Sequence, residues 1–226
     1  IYALDFPFLF NDYASAHEIL DGEIGDELLA KFEDKGMIGL AWSENGFRHI
    51  TNSVKPVQTP ADVAGLKLRT MENQVHIDAF KELGASPTPM SWTEVLTSLQ
   101  QGTIDGQENP IPIIVSNNMW DMQKYVTLTG HVYSPAVITM SKIHWDQLSE
   151  EEQGWIREAA KAGVEATRAV VAETEKNGVA TMRENGMEVI EDVDKKAFQD
   201  AVQPTYDRYG KEYGEAMIQR IRDAQK

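Results

Sequence analysis

Two carboxylates, Asp105 and Glu108, stand close together in the run IDGQENP, and Arg69 follows the alternating run GLKL. A carboxylate pair is the minimum for general acid–base chemistry. A guanidinium can hold a carboxylate through two parallel hydrogen bonds. Asn109, beside Glu108, offers a ligand both a donor and an acceptor. Glu72 follows Arg69 on the same loop and is a candidate reader of hydroxyl groups. Each residue also has an ordinary role. On pattern alone an arginine at a strand end is more often salt-bridged on the surface, Asp105 before Gly106 suits a turn, and Glu108 suits the buffering of nearby arginine charge.

Other chemistries find fewer actors. The histidines, His17, His49, His76, His131 and His144, are scattered, without HExxH or paired spacing, so a transition-metal site is not expected. No calcium loop, GxGxxG, Walker sequence or GxSxG occurs, and cysteine is absent, which removes disulfides and thiolate chemistry. No cofactor is expected. The 226 residues suffice for a sizeable core in one or two domains, with 42% hydrophobic and 25% charged positions. A formal net charge of −15 disfavours nucleic acid and anionic membranes as partners, although a local basic pocket can still take an anion. No apolar run approaches the roughly 20 residues of a membrane span. The chain begins with isoleucine and shows no signal peptide, so a processed chain or a fragment is expected.

The elements that must position these groups are legible around them. Residues 65–110 read as strand, helix, strand, helix, strand. Leu66, Leu68 and Thr70 alternate with Lys67 and Arg69, which makes a half-buried strand with Arg69 near its carboxyl end. Val75, Ile77, Ala79, Phe80 and Leu83 give a helix stopped by Gly84. Residues 85–90, broken by proline, suit an edge strand. Ser91 with Glu94 forms a capping box for a second helix, and a short strand ends at Pro110. Strands alternating with helices imply an α/β fold, in which ligands sit at the carboxyl ends of strands.

Upstream, residues 1–10 read as extended with Phe6, Phe8 and Phe10 in the core, residues 15–20 and 23–35 as helices, and 37–42 as a buried strand. Thr59-Pro60 opens a short helix. Downstream, strands are expected over 125–129 and 136–140. Ser149 and Glu152 cap a helix that runs to about Asn185, with Gly178 a point of bending. About 36 residues at ~1.5 Å each give roughly 54 Å, longer than one domain of this chain is wide. Its alanine-rich face lacks leucine heptads, which argues against a coiled coil. Short helices close the chain, with Tyr206, Tyr209 and Tyr213 on one face and their phenol tips toward water.

GLKLRT, then LGASPTPM, then EV-LTSLQQGTIDGQENP resemble, in this order, the substrate-binding proteins of tripartite ATP-independent periplasmic transporters, the DctP family. The resemblance implies a two-domain binding-protein fold with a cleft and a long helix across the back, here without its amino-terminal part. Residues 1–45 are then the remainder of the first α/β domain and 46–135 the second. Residues 136–226 hold a crossover strand, the spanning helix and terminal helices. It further implies an extracytoplasmic, periplasmic, monomeric solute-binding protein that delivers an organic acid to a membrane permease. Arg69 and Asn109 become direct ligand contacts, Arg48 in the Gly-x-Arg run a second cleft arginine, Trp92 an aromatic stacked over the ligand, and His131 part of a polar network behind it. A core histidine bonded to backbone remains the other reading of His131. Glu72 in a pocket for an acid makes sense when the ligand also carries donors, which favours a sugar acid such as a uronate over a bare C4-dicarboxylate. The competing readings are an enzyme acting on an organic acid, with Glu108 or His131 as base, and an interaction module built on the long helix.

Overall fold

A computed structural model describes residues 2–226. The first element is a 3-10 turn over Tyr2–Asp5, where an extended segment was expected. Phe8 follows with φ 57°, and its N–H donates to the His131 carbonyl. The bend lets Phe6 and Phe10 enter the core while Phe8 packs on a different cluster. Helices α1 (Tyr13–Leu20) and α2 (Glu23–Ala30) come next, then the long strand β1 (Met37–Asn52). The stretch expected to leave the strand after Trp42 stays in it, because bulges absorb the irregular residues between Glu44 and Gly46.

Helix α3 (Pro60–Val63) is capped by Thr59 and Asp62. The expected alternation follows as β2 (Lys67–Thr70), α4 (Gln74–Glu82), β3 (Ser86–Pro89), α5 (Trp92–Gln100) and β4 (Gly106–Pro110). The apolar run after Pro110 is a helix, α6 (Ile111–Ser116). The two strands expected over 125–140 are one, β5 (Tyr125–Ser141). Helix α7 (Lys142–Trp145) precedes α8 (Glu150–Glu184), and the chain closes with β6 (Glu188–Ile190), α9 (Lys195–Ala201), α10 (Gln203–Tyr213) and α11 (Glu215–Asp223). Between α9 and α10 the helical path breaks at Val202, where Pro204 can begin a helix but not continue one.

Among the described residues, six strands form one sheet in the order β3-β2-β4-β1-β5-β6, with β3 and β6 at its edges. β1 is antiparallel to β4 and β5, and β2 is parallel to both its neighbours. β1 and β5 run unbroken through residues 45/46 and 135/136. Helix α8 is continuous over 35 residues and packs on β1, α6 and β6. Gly178 stays within it and serves a close approach, since a Cβ there would lie 2.3 Å from Ile111 Cγ2. Two of the terminal tyrosines end on protein rather than water. Tyr206 donates to the Pro7 carbonyl at 2.7 Å and Tyr209 to Asp78 at 2.5 Å. Among the described residues, no helix is long and apolar enough to cross a membrane.

Candidate functional site

β4 lies between β2 and the second half of β1 in the interior of the sheet, with its carboxyl end beside Arg48. Register decides which side chains share a face. Arg48 pairs with Pro110, Ile50 with Glu108, and Leu68 with Gly106. Alternation along each strand then puts Arg48 and Glu108 on one face and Arg69, Gln107 and Asn109 on the other.

On the first face, Glu108 accepts from Arg48 Nε at 2.5 Å and Nη2 at 2.8 Å, and Nη2 also reaches the Glu108 carbonyl at 2.7 Å. His131 Nε2 lies 3.1 Å from the same carboxylate, and its Nδ1 is 2.7 Å from Thr129 Oγ1. Burial works against the Glu108 charge, yet the Arg48 charge and the bonds from Arg48 and His131 outweigh it and hold the carboxyl well below the ordinary range. His131 gets there through a bulge: β5 inserts residues 128–131 opposite His49 alone. Gly130 in that bulge has φ 55° and donates its N–H to His49 Nδ1 at 3.0 Å. Burial pushes the His49 imidazole down to about 3, so the ring is a neutral acceptor.

On the second face, Arg69 is buried, and its one hydrogen-bond partner among the described residues is the Met90 carbonyl, at 3.0 Å from Nε and 2.8 Å from Nη2. Its guanidinium carbon stands 5.8 Å from the centre of the Trp92 ring, which is half-buried on the core formed with α5 and α6. Burial pulls the Arg69 pKa down while the Glu108 charge opposes the shift. Asn109 Nδ2 donates to Gln107 Oε1 at 2.5 Å, Gln107 Nε2 to Thr51 Oγ1 at 2.9 Å, and Thr51 to Gln123 at 2.8 Å. This relay fixes the Asn109 amide.

The structure thus joins Arg48, Glu108 and His131 directly and sets Arg69 beside Trp92. Glu72 is exposed and lines a separate cavity with Tyr2, Gln74, Pro89 and Tyr213. The carboxylates of IDGQENP do not act as a pair. Asp105 accepts from the Lys67 N–H at 2.8 Å and takes the Ser53 N–H on its carbonyl at 3.0 Å, while Glu108 is committed to Arg48 and His131. Sequence reasoning missed Gln107, Thr51 and Thr129. Period-two spacing from Asn109 could have found Gln107, whereas Thr129 lies with His131 in the bulge, where alternation gives no signal. Among the described residues no group of three or more His, Cys, Asp or Glu side chains is placed to hold a metal ion.

Residues 1–212 match the family described as bacterial extracellular solute-binding protein, family 7. A solute-binding protein of Verminephrobacter eiseniae is 50% identical over 222 residues, 98% of this chain and 66% of its own length. The 2,3-diketo-L-gulonate-binding periplasmic protein of Escherichia coli is 47% identical over 199 residues, 88% of this chain and 61% of its own length. The chain therefore spans somewhat less than two thirds of these relatives. Among solved structures, a TRAP periplasmic solute-binding protein of a Polaromonas species, bound to D-erythronate, superposes with a TM-score of 0.95 at 50% identity, covering 98% of this chain and 73% of that one. One from Chromohalobacter salexigens with bound D-glucuronate gives 0.95 at 36% identity, covering 99% and 75%. With the fold shared at that level and the family matched across nearly the whole sequence, this chain belongs to the DctP family, bacterial extracellular solute-binding proteins of family 7.

Proposed function

We propose that the longer protein containing this chain is the periplasmic solute-binding component of a TRAP transporter and captures a small hydroxylated carboxylate. The observation that carries this reading is the contrast between the two buried arginines. Arg48 is neutralised by Glu108, whereas among the described residues Arg69 has only a backbone carbonyl for partner. A buried guanidinium without a counter-ion favours an anion, and its planar fork fits a carboxylate. Asn109, oriented by Gln107, adds an amide to the same face, and Trp92 offers a ring to the carbon skeleton. Arg48, Glu108 and His131 form the network behind the ligand, with Arg48 Nη1 the atom of that fork left for it. Glu72, exposed on the loop that follows Arg69 and close enough for its charge to act on that guanidinium, is the proposed contact for a polyol tail.

Support for a sugar acid comes from relatives solved with D-erythronate, galacturonate, D-glucuronate and galactonate bound. Residues 1–45 and 46–135 form parts of two lobes, and β1 and β5, which cross between them, serve as the hinge. Closure removes water and strengthens the ion pair. The loaded protein, a monomer, then docks on its membrane permease and releases the ligand unchanged.

The test is thermal-shift screening of the full-length protein against organic acids, followed by analysis of the recovered ligand. A strong upward shift with a sugar acid recovered intact is expected. Product formation would establish an enzyme with Glu108 or His131 as base, and no shift with any carboxylate would refute the reading.

A further inference from the structure

His76 lies in the first turn of α4, directly after the loop that leaves β2 at Arg69. It is 2% exposed, and neither ring nitrogen has a hydrogen-bond partner among the described residues. Among the described residues it is the one side chain that buries both of its polar atoms unsatisfied. An imidazole always presents a donor or acceptor at each nitrogen, and leaving them unmet by the protein in a buried site costs free energy that an apolar residue would not incur. A feature of this cost at the mouth of a strand–helix loop is where ligand contacts collect in α/β folds.

The surroundings say which ligand group fits. The nearest charged atom is Asp5 Oδ1, 3.9 Å from His76 Nε2, too far for a direct bond. Asp5 is itself held from the α4 N-cap, since Asn73 Nδ2 donates to it at 2.9 Å. Beyond the ring stand Glu108, Arg48 and His131, and Glu108 and Arg48 are also the main charges acting on Arg69. Burial lowers the affinity of the ring for a proton, so it stays neutral. A neutral imidazole beside a carboxylate repels a second acid group but suits a hydroxyl, which donates to the carboxylate while bonding the ring. One oxygen about 2.8 Å from each can bridge two atoms 3.9 Å apart.

We propose that His76, with Asp5 beside it, is a specificity-determining contact for a hydroxyl of the carboxylate ligand clamped at Arg69. The inference rests on the carboxylate reading above, and the experiment separates the two.

Isothermal titration of the full-length protein is done with D-erythronate, D-glucuronate and butyrate, which lacks hydroxyls, on wild type, His76→Leu, His76→Gln and Arg69→Lys. His76→Leu should weaken the hydroxylated acid that wild type binds by roughly tenfold, the worth of one ordinary hydrogen bond, and leave butyrate unchanged. His76→Gln, which keeps a donor and an acceptor, should recover part of the loss. The unfolding temperature of His76→Leu should stay level or rise, because an apolar residue replaces an unsatisfied one. Unchanged affinity in His76→Leu would mean a resident water only and would overturn the inference. Equal loss for all acids, or loss together with a lower unfolding temperature, would assign a structural role and overturn it too. Arg69→Lys, which should weaken every acid alike, reports on the carboxylate clamp alone. No heat from wild type with any of the three overturns the carboxylate reading and this inference with it.

Discussion

Arg48 and Glu108 are diagonal neighbours on adjacent antiparallel strands and close an ion pair inside the protein, 2% and 0% exposed. The pair converts one of two buried arginines from an anion receptor into scaffold. It also makes the network vulnerable to loss of either partner alone.

Glu108→Gln removes the counter-charge and leaves the Arg48 guanidinium buried. It should cost about 3–5 kcal/mol of folding stability, read from the midpoint of a urea transition. Replacing both partners, Arg48→Met with Glu108→Leu, should recover most of that, because the desolvation of both charges goes too. A single variant as stable as wild type would show that the pair carries little of the fold.

Arg69→Lys tests the other arginine. Lysine keeps the charge but loses the fork, so a carboxylate ligand of the full-length protein should lose about 2–3 kcal/mol, or roughly 30- to 150-fold in Kd. The unfolding midpoint should barely move, since what Arg69 gives up in the chain is a bond to the Met90 carbonyl. Calorimetry and thermal melts on one preparation read both effects.

How much of this was legible beforehand follows from where the information lies. The β2–α4–β3–α5–β4 unit is local: alternation, capping at Ser91 and stops at Gly84 and Gly102 specify it within a few residues. The pairing of Arg48 with Glu108 is not local, because it depends on β1 lying beside β4, 60 residues away in sequence. The aim of His131 depends on a bulge in β5 opposite His49, and no periodicity announces a bulge. The two long strands read as fragments in the sequence for the same reason, since their irregular residues break the alternation but not the pairing. Arg69 was found as a position. That it would lack a counter-ion while Arg48 had one could be read only from the packed structure.

Tyr13 ties three elements at one hydroxyl. It accepts from the Phe47 N–H of β1 at 3.0 Å and donates to Glu175 of α8 at 3.0 Å, from its own place on α1. Burial, with the Glu175 charge, pushes the phenol's pKa up, so it remains a donor at any working pH. Tyr13→Phe strands a backbone N–H and a partly buried carboxylate, and should cost about 1–3 kcal/mol in urea unfolding. Hydrogen exchange should speed up at Phe47 in particular. Equal protection there in both proteins would show that the hydroxyl is dispensable.

The buried imidazole of His49 predicts a pH dependence with a definite sign. Its folded pKa is depressed to about 3, against about 6.5 in an unfolded chain. The unfolded state therefore binds the proton first. The contribution of His49 is fully present above pH 6.5 and is lost as pH falls toward 3, at about 1.4 kcal/mol per unit. Between pH 6.5 and pH 5, wild type should lose about 2 kcal/mol from this group. His49→Asn can still accept from the Gly130 N–H through its amide oxygen but cannot titrate, so it should lack that part of the decline. Urea transitions of both proteins at the two pH values measure the difference directly. Parallel curves would mean that His49 carries its proton in the folded state, and that the Gly130 bond is made to something other than a neutral ring.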